Sequence, residues 1–256
     1  MTARDISKVG ICGSGIMGSG LAEVIARSNK QVIVRSRSIA SASQMKAAVE
    51  KSLEKQVAKE KISQGDADRT LANITLTDNV GDLRDCDLVI ESIIEELEPK
   101  VALFKELDAL TNPDAILATN TSTLAVVELA RATNRPDKVC GIHFFNPATL
   151  MPLVEIIRPA TASDETIETA TAFASACGKE PVQVLDRAGF IVNALLFPYL
   201  NNAIRMYEMG TASMEDIDVA MKGGCNFPMG PFALLDLVGL DTTLSILEAL
   251  HAEFKD

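Results

Sequence analysis

Two histidines, His143 and His251, occur in 256 residues, and imidazole is the side chain that exchanges a proton nearest neutrality. His143 lies in GIHFFNP (Gly141–Pro147), at the end of a run that reads as a strand. His251 falls on an amphipathic terminal helix and reads as an ordinary surface residue. The second chemical feature is Gly13-Ser14-Gly15-Ile16-Met17-Gly18, a GxGxxG set between a β-branched run and a helical pattern. In that setting the first glycine permits a tight turn and the second lets backbone approach a pyrophosphate. The third lets the helix pack close to the strand, and the helix N-terminus faces the anion. A dinucleotide site beside a base suits hydride removal from a secondary alcohol, whose hydroxyl proton needs an acceptor. No GxSxG, HExxH or CxxC occurs, so a nucleophile-elbow hydrolase and the common metal sites are not expected.

The residues after the second strand bear on the choice of dinucleotide. An NAD site usually carries Asp or Glu there to bind the ribose hydroxyls. Here the run is Val34-Arg35-Ser36-Arg37-Ser38, with no acid and two guanidinium groups. A pocket for a 2′-phosphate, hence NADP(H) favoured over NAD(H), is one reading; solvated loop arginines are the other. Lys51, Lys55 and Lys59 recur every four residues and form a basic stripe. Interleaved Glu50 and Glu54 also fit a salt-bridged solvated face.

These groups need elements to hold them. Strands are expected at Lys8–Cys12, Gln31–Arg35, Leu88–Glu91, Ala115–Thr119, Val139–His143, Leu153–Ile157 and Val182–Leu185. Helices are expected at Ile16–Ser28, Ser41–Lys61, Pro99–Leu110 and Asp164–Cys177. The alternation implies βαβ units, and so a Rossmann-type, doubly wound, mostly parallel sheet with ligands at the carboxyl ends of its strands. After Asp186 only helical patterns follow: Phe190–Met209, Met214–Met221, Pro231–Val238 and Asp241–Phe254. Two domains are expected, residues 1–186 as the dinucleotide-binding unit and 187–256 as a smaller all-helical one. The apolar helix from Phe190 to Ile204 carries large residues around most of its circumference and is expected to be buried on nearly all sides. About seventy helical residues make a marginal core alone, so packing against the first domain and against a second subunit is expected, giving a homodimer.

Composition sets outer bounds. A net charge of −11 disfavours nucleic acid as a partner. Apolar runs are too short to span a bilayer, the start MTARDISK has no apolar core, and five scattered cysteines suit a reducing compartment. A cytoplasmic protein with idle thiols and no membrane partner is expected.

NTSTL (Asn120–Leu124), GIHFFNP, LVEIIR (Leu153–Arg158), GFIVNALL (Gly189–Leu196) and PMGP (Pro228–Pro231) occur in that order. Together they closely resemble the L-3-hydroxyacyl-CoA dehydrogenases, the short bacterial 3-hydroxybutyryl-CoA type above all, over essentially the whole chain. The resemblance implies His143 as acid/base, Glu155 as its orienting partner, and Ser122 and Asn193 as substrate contacts. It implies cofactor contacts at Gly13 to Gly18, Glu95, Lys100, Asn120, Ser122 and Asn146, and contacts to the CoA part of the substrate at Ser52 and Lys59; Ser36 and Arg37 join the cofactor set from their place after the second strand. No metal is implied. Ser36-Arg37 departs from the family's usual acid. Relatives also continue beyond the point matching Asp256 with a Gly/Lys-rich turn and an aromatic close that help cover the active site. Two rivals are a hydroxy-acid dehydrogenase of the same architecture acting without CoA, and a non-catalytic nucleotide-binding protein. A free acid has no need of a distant basic helix, and a binding module has no need of an acid/base pair.

Overall fold

A computed structural model describes residues 3–255; residues 1, 2 and 256, at the ends of the two expected domains, lie outside the described residues. The chain divides into two compact units, the first ending at Asp186 and the second beginning at Arg187. The first is an eight-stranded sheet: β1 (Lys8–Cys12), β2 (Gln31–Arg35), β3 (Ile74–Thr77), β4 (Leu88–Glu91), β5 (Ile116–Thr119), β6 (Val139–Phe144), β7 (Leu153–Arg158) and β8 (Glu180–Leu185). Its spatial order is β3-β2-β1-β4-β5-β6-β7-β8. Strands β1 to β6 pair parallel, β7 is antiparallel to β6, and β8 is parallel to β7. The mostly parallel, doubly wound expectation is met.

Helices α1 (Ile16–Arg27), α2 (Ile39–Ala58), α3 (Gln64–Ala72), α4 (Leu97–Leu110), α5 (Val126–Arg131) and α6 (Asp164–Ala176) connect the strands. The central strands are apolar runs because both faces of the sheet are covered; β4, β5 and β6 are buried along their whole length. One core joins Val9, Ile11 and Val34 of the sheet to Leu21 and Ile25 of α1 and to Val49 and Leu53 of α2.

Three local readings change. The long helix begins at Ile39, capped by the Ser38 hydroxyl, and ends at Ala58 instead of running to Lys61. A separate helix α3 follows, closed at its start by reciprocal Ser63 and Asp66 hydrogen bonds. It delivers the chain to β3, an edge strand absent from the seven expected ones.

The second unit is all helical: α7 (Val192–Glu208), α8 (Met214–Cys225), α9 (Pro231–Val238) and α10 (Leu240–Phe254). Phe197 and Leu200 of α7 pack with Leu235 of α9 and Ile246 and Leu250 of α10. Burial of α7 on nearly all sides does not hold within the chain. Four helices in a small unit cover only one face of it, so Asn193, Phe197, Leu200 and Ala203 are buried while Leu195 is 72% exposed. Among the described residues no helix is long and apolar enough to cross a membrane.

Candidate active site

The His143–Glu155 pair is built by strand register. His143 on β6 and Glu155 on β7 are direct cross-strand partners in the antiparallel ladder. Residues opposite one another project to the same face, so the pair meets without help from a loop. His143 Nδ1 donates to Glu155 Oε2 at 2.8 Å, and both side chains are buried. A carboxylate at Nδ1 fixes the tautomer and orientation of the ring. Phe145 stacks obliquely on the imidazole, with ring centroids 4.4 Å apart. Gly141, two residues before His143, faces Ile157 in the same ladder. A Cβ there would lie 2.8 Å from the Ile157 side chain, so glycine permits the close strand approach.

The segment after β5 is held from two sides. Asn120 Oδ1 accepts the Phe144 N–H at 2.9 Å, tying it to the residue after His143. Glu95 Oε1 accepts the Ser122 N–H at 2.8 Å and the Ser122 hydroxyl at 3.3 Å, and also receives the Thr121 hydroxyl. Burial would raise the Glu95 carboxyl, but Lys100, the Thr121 hydroxyl and the Ser122 amide outweigh it and hold the group below the ordinary glutamate range. Lys100 is only 1% exposed and is ion-paired to Glu91 at 2.5 Å and Glu95 at 3.0 Å. Breaking such a buried pair by removing one partner typically costs roughly 3–5 kcal/mol. Glu91 and Thr121, which complete this network, are absent from the sequence-derived set. The available signal was a carboxylate closing the apolar run Leu88–Glu91 at the carboxyl end of its strand.

The glycine loop has the form a dinucleotide requires. Gly13 adopts φ +130°, and a Cβ there would overlap the Ser92 carbonyl; one on Gly18 would overlap the Gly13 carbonyl. A Cβ on Gly15 would meet nothing within 4 Å, so that face of the loop is open to a ligand. Gly15 is the N-cap of α1 and no side chain caps the helix, leaving its first-turn amides presented at that opening. Met17 is half-buried and Ile16 exposed. Ser14 and Ser36 hydroxyls are hydrogen-bonded at 2.8 Å, which puts the end of β2 beside the loop. Ser36 N–H donates to the Thr77 carbonyl, so pairing with β3 continues one residue past β2. Arg37 is exposed, and the buried Arg35 Nε has no hydrogen-bond partner among the described residues.

The remaining sequence-derived residues are carried by other segments. Asn146 is exposed in the β6–β7 connection. Ser52 is half-buried on α2 and accepts a long 3.4 Å contact from Gln56, while Lys59 is the exposed C-cap of that helix. Asn193 is buried in the first turn of α7, in the second unit. Among the described residues no group of three or more His, Cys, Asp or Glu is placed to hold a metal ion. Burial pushes the Cys12, Cys86 and Cys140 thiols up to about 12, so none supplies a thiolate at neutral pH.

The chain matches known proteins along nearly its whole length. The 3-hydroxyacyl-CoA dehydrogenase NAD-binding domain matches residues 8–187, and the 3-hydroxyacyl-CoA dehydrogenase C-terminal domain matches residues 189–256. The chain is 44% identical over 253 residues to 3-hydroxybutyryl-CoA dehydrogenase of Mycobacterium tuberculosis, covering 98% of this chain and 88% of that one. It is 45% identical over 253 residues to human mitochondrial hydroxyacyl-coenzyme A dehydrogenase, covering 96% of this chain and 80% of that one. The crystal structure of (S)-3-hydroxybutyryl-CoA dehydrogenase from Ralstonia eutropha superposes with a TM-score of 0.96 at 40% identity, covering 98% and 89% of the two chains. With the two family domains together matching residues 8–187 and 189–256, the chain belongs to the 3-hydroxyacyl-CoA dehydrogenase family.

Proposed function

We propose that this protein interconverts a (3S)-3-hydroxyacyl-CoA and the corresponding 3-oxoacyl-CoA, with 3-hydroxybutyryl-CoA as the short-chain substrate and a nicotinamide dinucleotide as hydride carrier. The observation that carries the reading is the buried His143–Glu155 pair at the end of β6 in a nucleotide-binding sheet. The bound nicotinamide would supply or accept hydride at its C4 position. Gly13 to Gly18 and the first-turn amides of α1 would hold its pyrophosphate, and Ser36 and Arg37 would face its adenosine ribose.

In the reductive direction His143 gives a proton to the 3-oxygen as hydride reaches the carbon, and in the oxidative direction it removes that proton. Glu155 keeps the ring oriented through Nδ1, so Nε2 exchanges the proton, and the carboxylate stabilises the imidazolium. Ser122 and Asn193 are assigned to the substrate oxygens. Glu95, Lys100, Asn120 and Asn146 are assigned to the cofactor side, with Lys100 acting from within its ion pairs. Ser52 and Lys59 on α2 are assigned to the CoA portion, where an exposed ammonium suits phosphate.

Cofactor choice in this reading is NADP(H) over NAD(H). Ser36 replaces the usual acid and Arg37 is exposed at the next position. The functional division assigns residues 1–186 to the dinucleotide and 187–256 to substrate and dimerisation. A homodimer through the second unit is supported by the exposed Leu195, Met209, Leu237, Leu240 and Leu244. A cytoplasmic location is supported by cysteine usage suited to a reducing compartment. Turnover of acetoacetyl-CoA with loss of reduced-cofactor fluorescence, beside free acetoacetate as control, tests the substrate class.

A further inference from the structure

Glu91 ends β4 and is completely buried, and its carboxylate is fully engaged. Oε1 accepts the Ile93 N–H at 2.7 Å and the Lys100 ammonium at 2.5 Å; Oε2 accepts the Thr119 hydroxyl at 2.7 Å. Two side-chain routes run from this carboxylate to the segment that carries Ser122. Through Thr119, whose oxygen accepts the Thr121 N–H at 3.1 Å, Glu91 fixes the exit from β5. Through Lys100 it fixes Glu95, which in turn grips the Thr121 hydroxyl and both donors of Ser122. A backbone link adds a third route. Asn120 N–H donates to the Glu91 carbonyl at 2.9 Å, and Asn120 Oδ1 accepts the amide next to His143.

Stability alone is a poor reason for burying this pair. Apolar residues of the same volume are often equal or better for the fold, while a fully hydrogen-bonded charged network fixes orientation. Its three partners lie at the end of β5, just after β4 and in the first turn of α4. We infer that Glu91 is a positioning residue for the reaction, acting through Thr119, Lys100 and Glu95 to hold Ser122 in its working orientation. The inference rests on the proposed role of Ser122 at the substrate.

A double-mutant cycle on the full chain tests it, with acetoacetyl-CoA turnover, reduced-cofactor titration and thermal melting measured for Glu91→Gln, Ser122→Ala and the pair. Glu91→Gln is expected to lower kcat roughly 10- to 100-fold with KM for acetoacetyl-CoA changed less than about 3-fold. In the Ser122→Ala background the same change is expected to cost less than about 3-fold, because the group it positions is gone. Equal losses in both backgrounds, or an unchanged kcat, overturn the inference. If Glu91→Gln does not fold, Thr119→Val, isosteric and confined to the route through β5, is expected to show a smaller loss with the same dependence on Ser122. A wild-type chain inactive on acetoacetyl-CoA overturns the functional reading and this inference with it. Additive losses in an active enzyme overturn the inference alone.

Discussion

His143 and Glu155 face one another across an antiparallel pair of strands, and their 2.8 Å hydrogen bond follows from the register of that ladder. Sheet geometry is stiffer than a loop, so the imidazole is oriented before any ligand arrives. The reversal of β7 is what makes the contact possible, because it sets Glu155 directly opposite His143.

The first prediction concerns this pair. His143→Ala and Glu155→Gln are each expected to lower kcat by roughly 10²–10⁴ while leaving cofactor affinity nearly intact. Steady-state kinetics with a parallel fluorescence titration of the reduced cofactor checks both halves. Turnover like the wild type in either variant removes that residue from the mechanism.

The second concerns the CoA portion. Lys59→Ala is expected to raise KM for acetoacetyl-CoA more than for a truncated thioester without the nucleotide, since a phosphate contact is felt equally in ground and transition states. Equal effects on both substrates return the Lys51, Lys55 and Lys59 stripe to a solvated helix face.

Cofactor preference is the third. A charge-assisted guanidinium–phosphate bond contributes about 1.5–3 kcal/mol. One such contact is worth roughly ten- to more than a hundredfold in affinity. NADPH is therefore expected to be preferred over NADH by at least about tenfold in kcat/KM, less so in high salt. Ser36→Asp with Arg37→Ala is expected to reverse the order. A wild-type preference for NADH makes the two arginines a solvated loop.

The fourth concerns assembly. With Leu195, Met206 and Tyr207 of α7 exposed, a dimer through the second unit is expected at micromolar concentration by light scattering. Leu195→Lys is expected to shift the mass toward the monomer. A monomeric wild type contradicts the assembly.

Much of this was legible in the residues. The glycine loop, the alternation of strands and helices, and the ordered run of motifs put His143 and Ser122 at the carboxyl end of a strand or just beyond it, and Glu155 within the strand from Leu153. What escaped depended on contacts distant in sequence. Ile74–Thr77 is a four-residue run whose identity as a strand comes from pairing with β2. Lys100 reads as the charged start of a helix, and only tertiary structure buries it between Glu91 and Glu95. Within one chain α7 is buried on one face, and the rest of its apolar circumference is what the expected second subunit would cover.

The central claim is that His143 serves a reaction on an acyl-CoA. The direct measurement is oxidation of NADPH and NADH by the wild-type chain with acetoacetyl-CoA, with free acetoacetate as control. With no tryptophan in the chain, reduced-cofactor fluorescence reports the reaction cleanly. The account predicts rapid oxidation with the thioester, little with the free acid, and loss of the thioester reaction in His143→Ala. Equal rates with both compounds, or no oxidation with acetoacetyl-CoA, would contradict it.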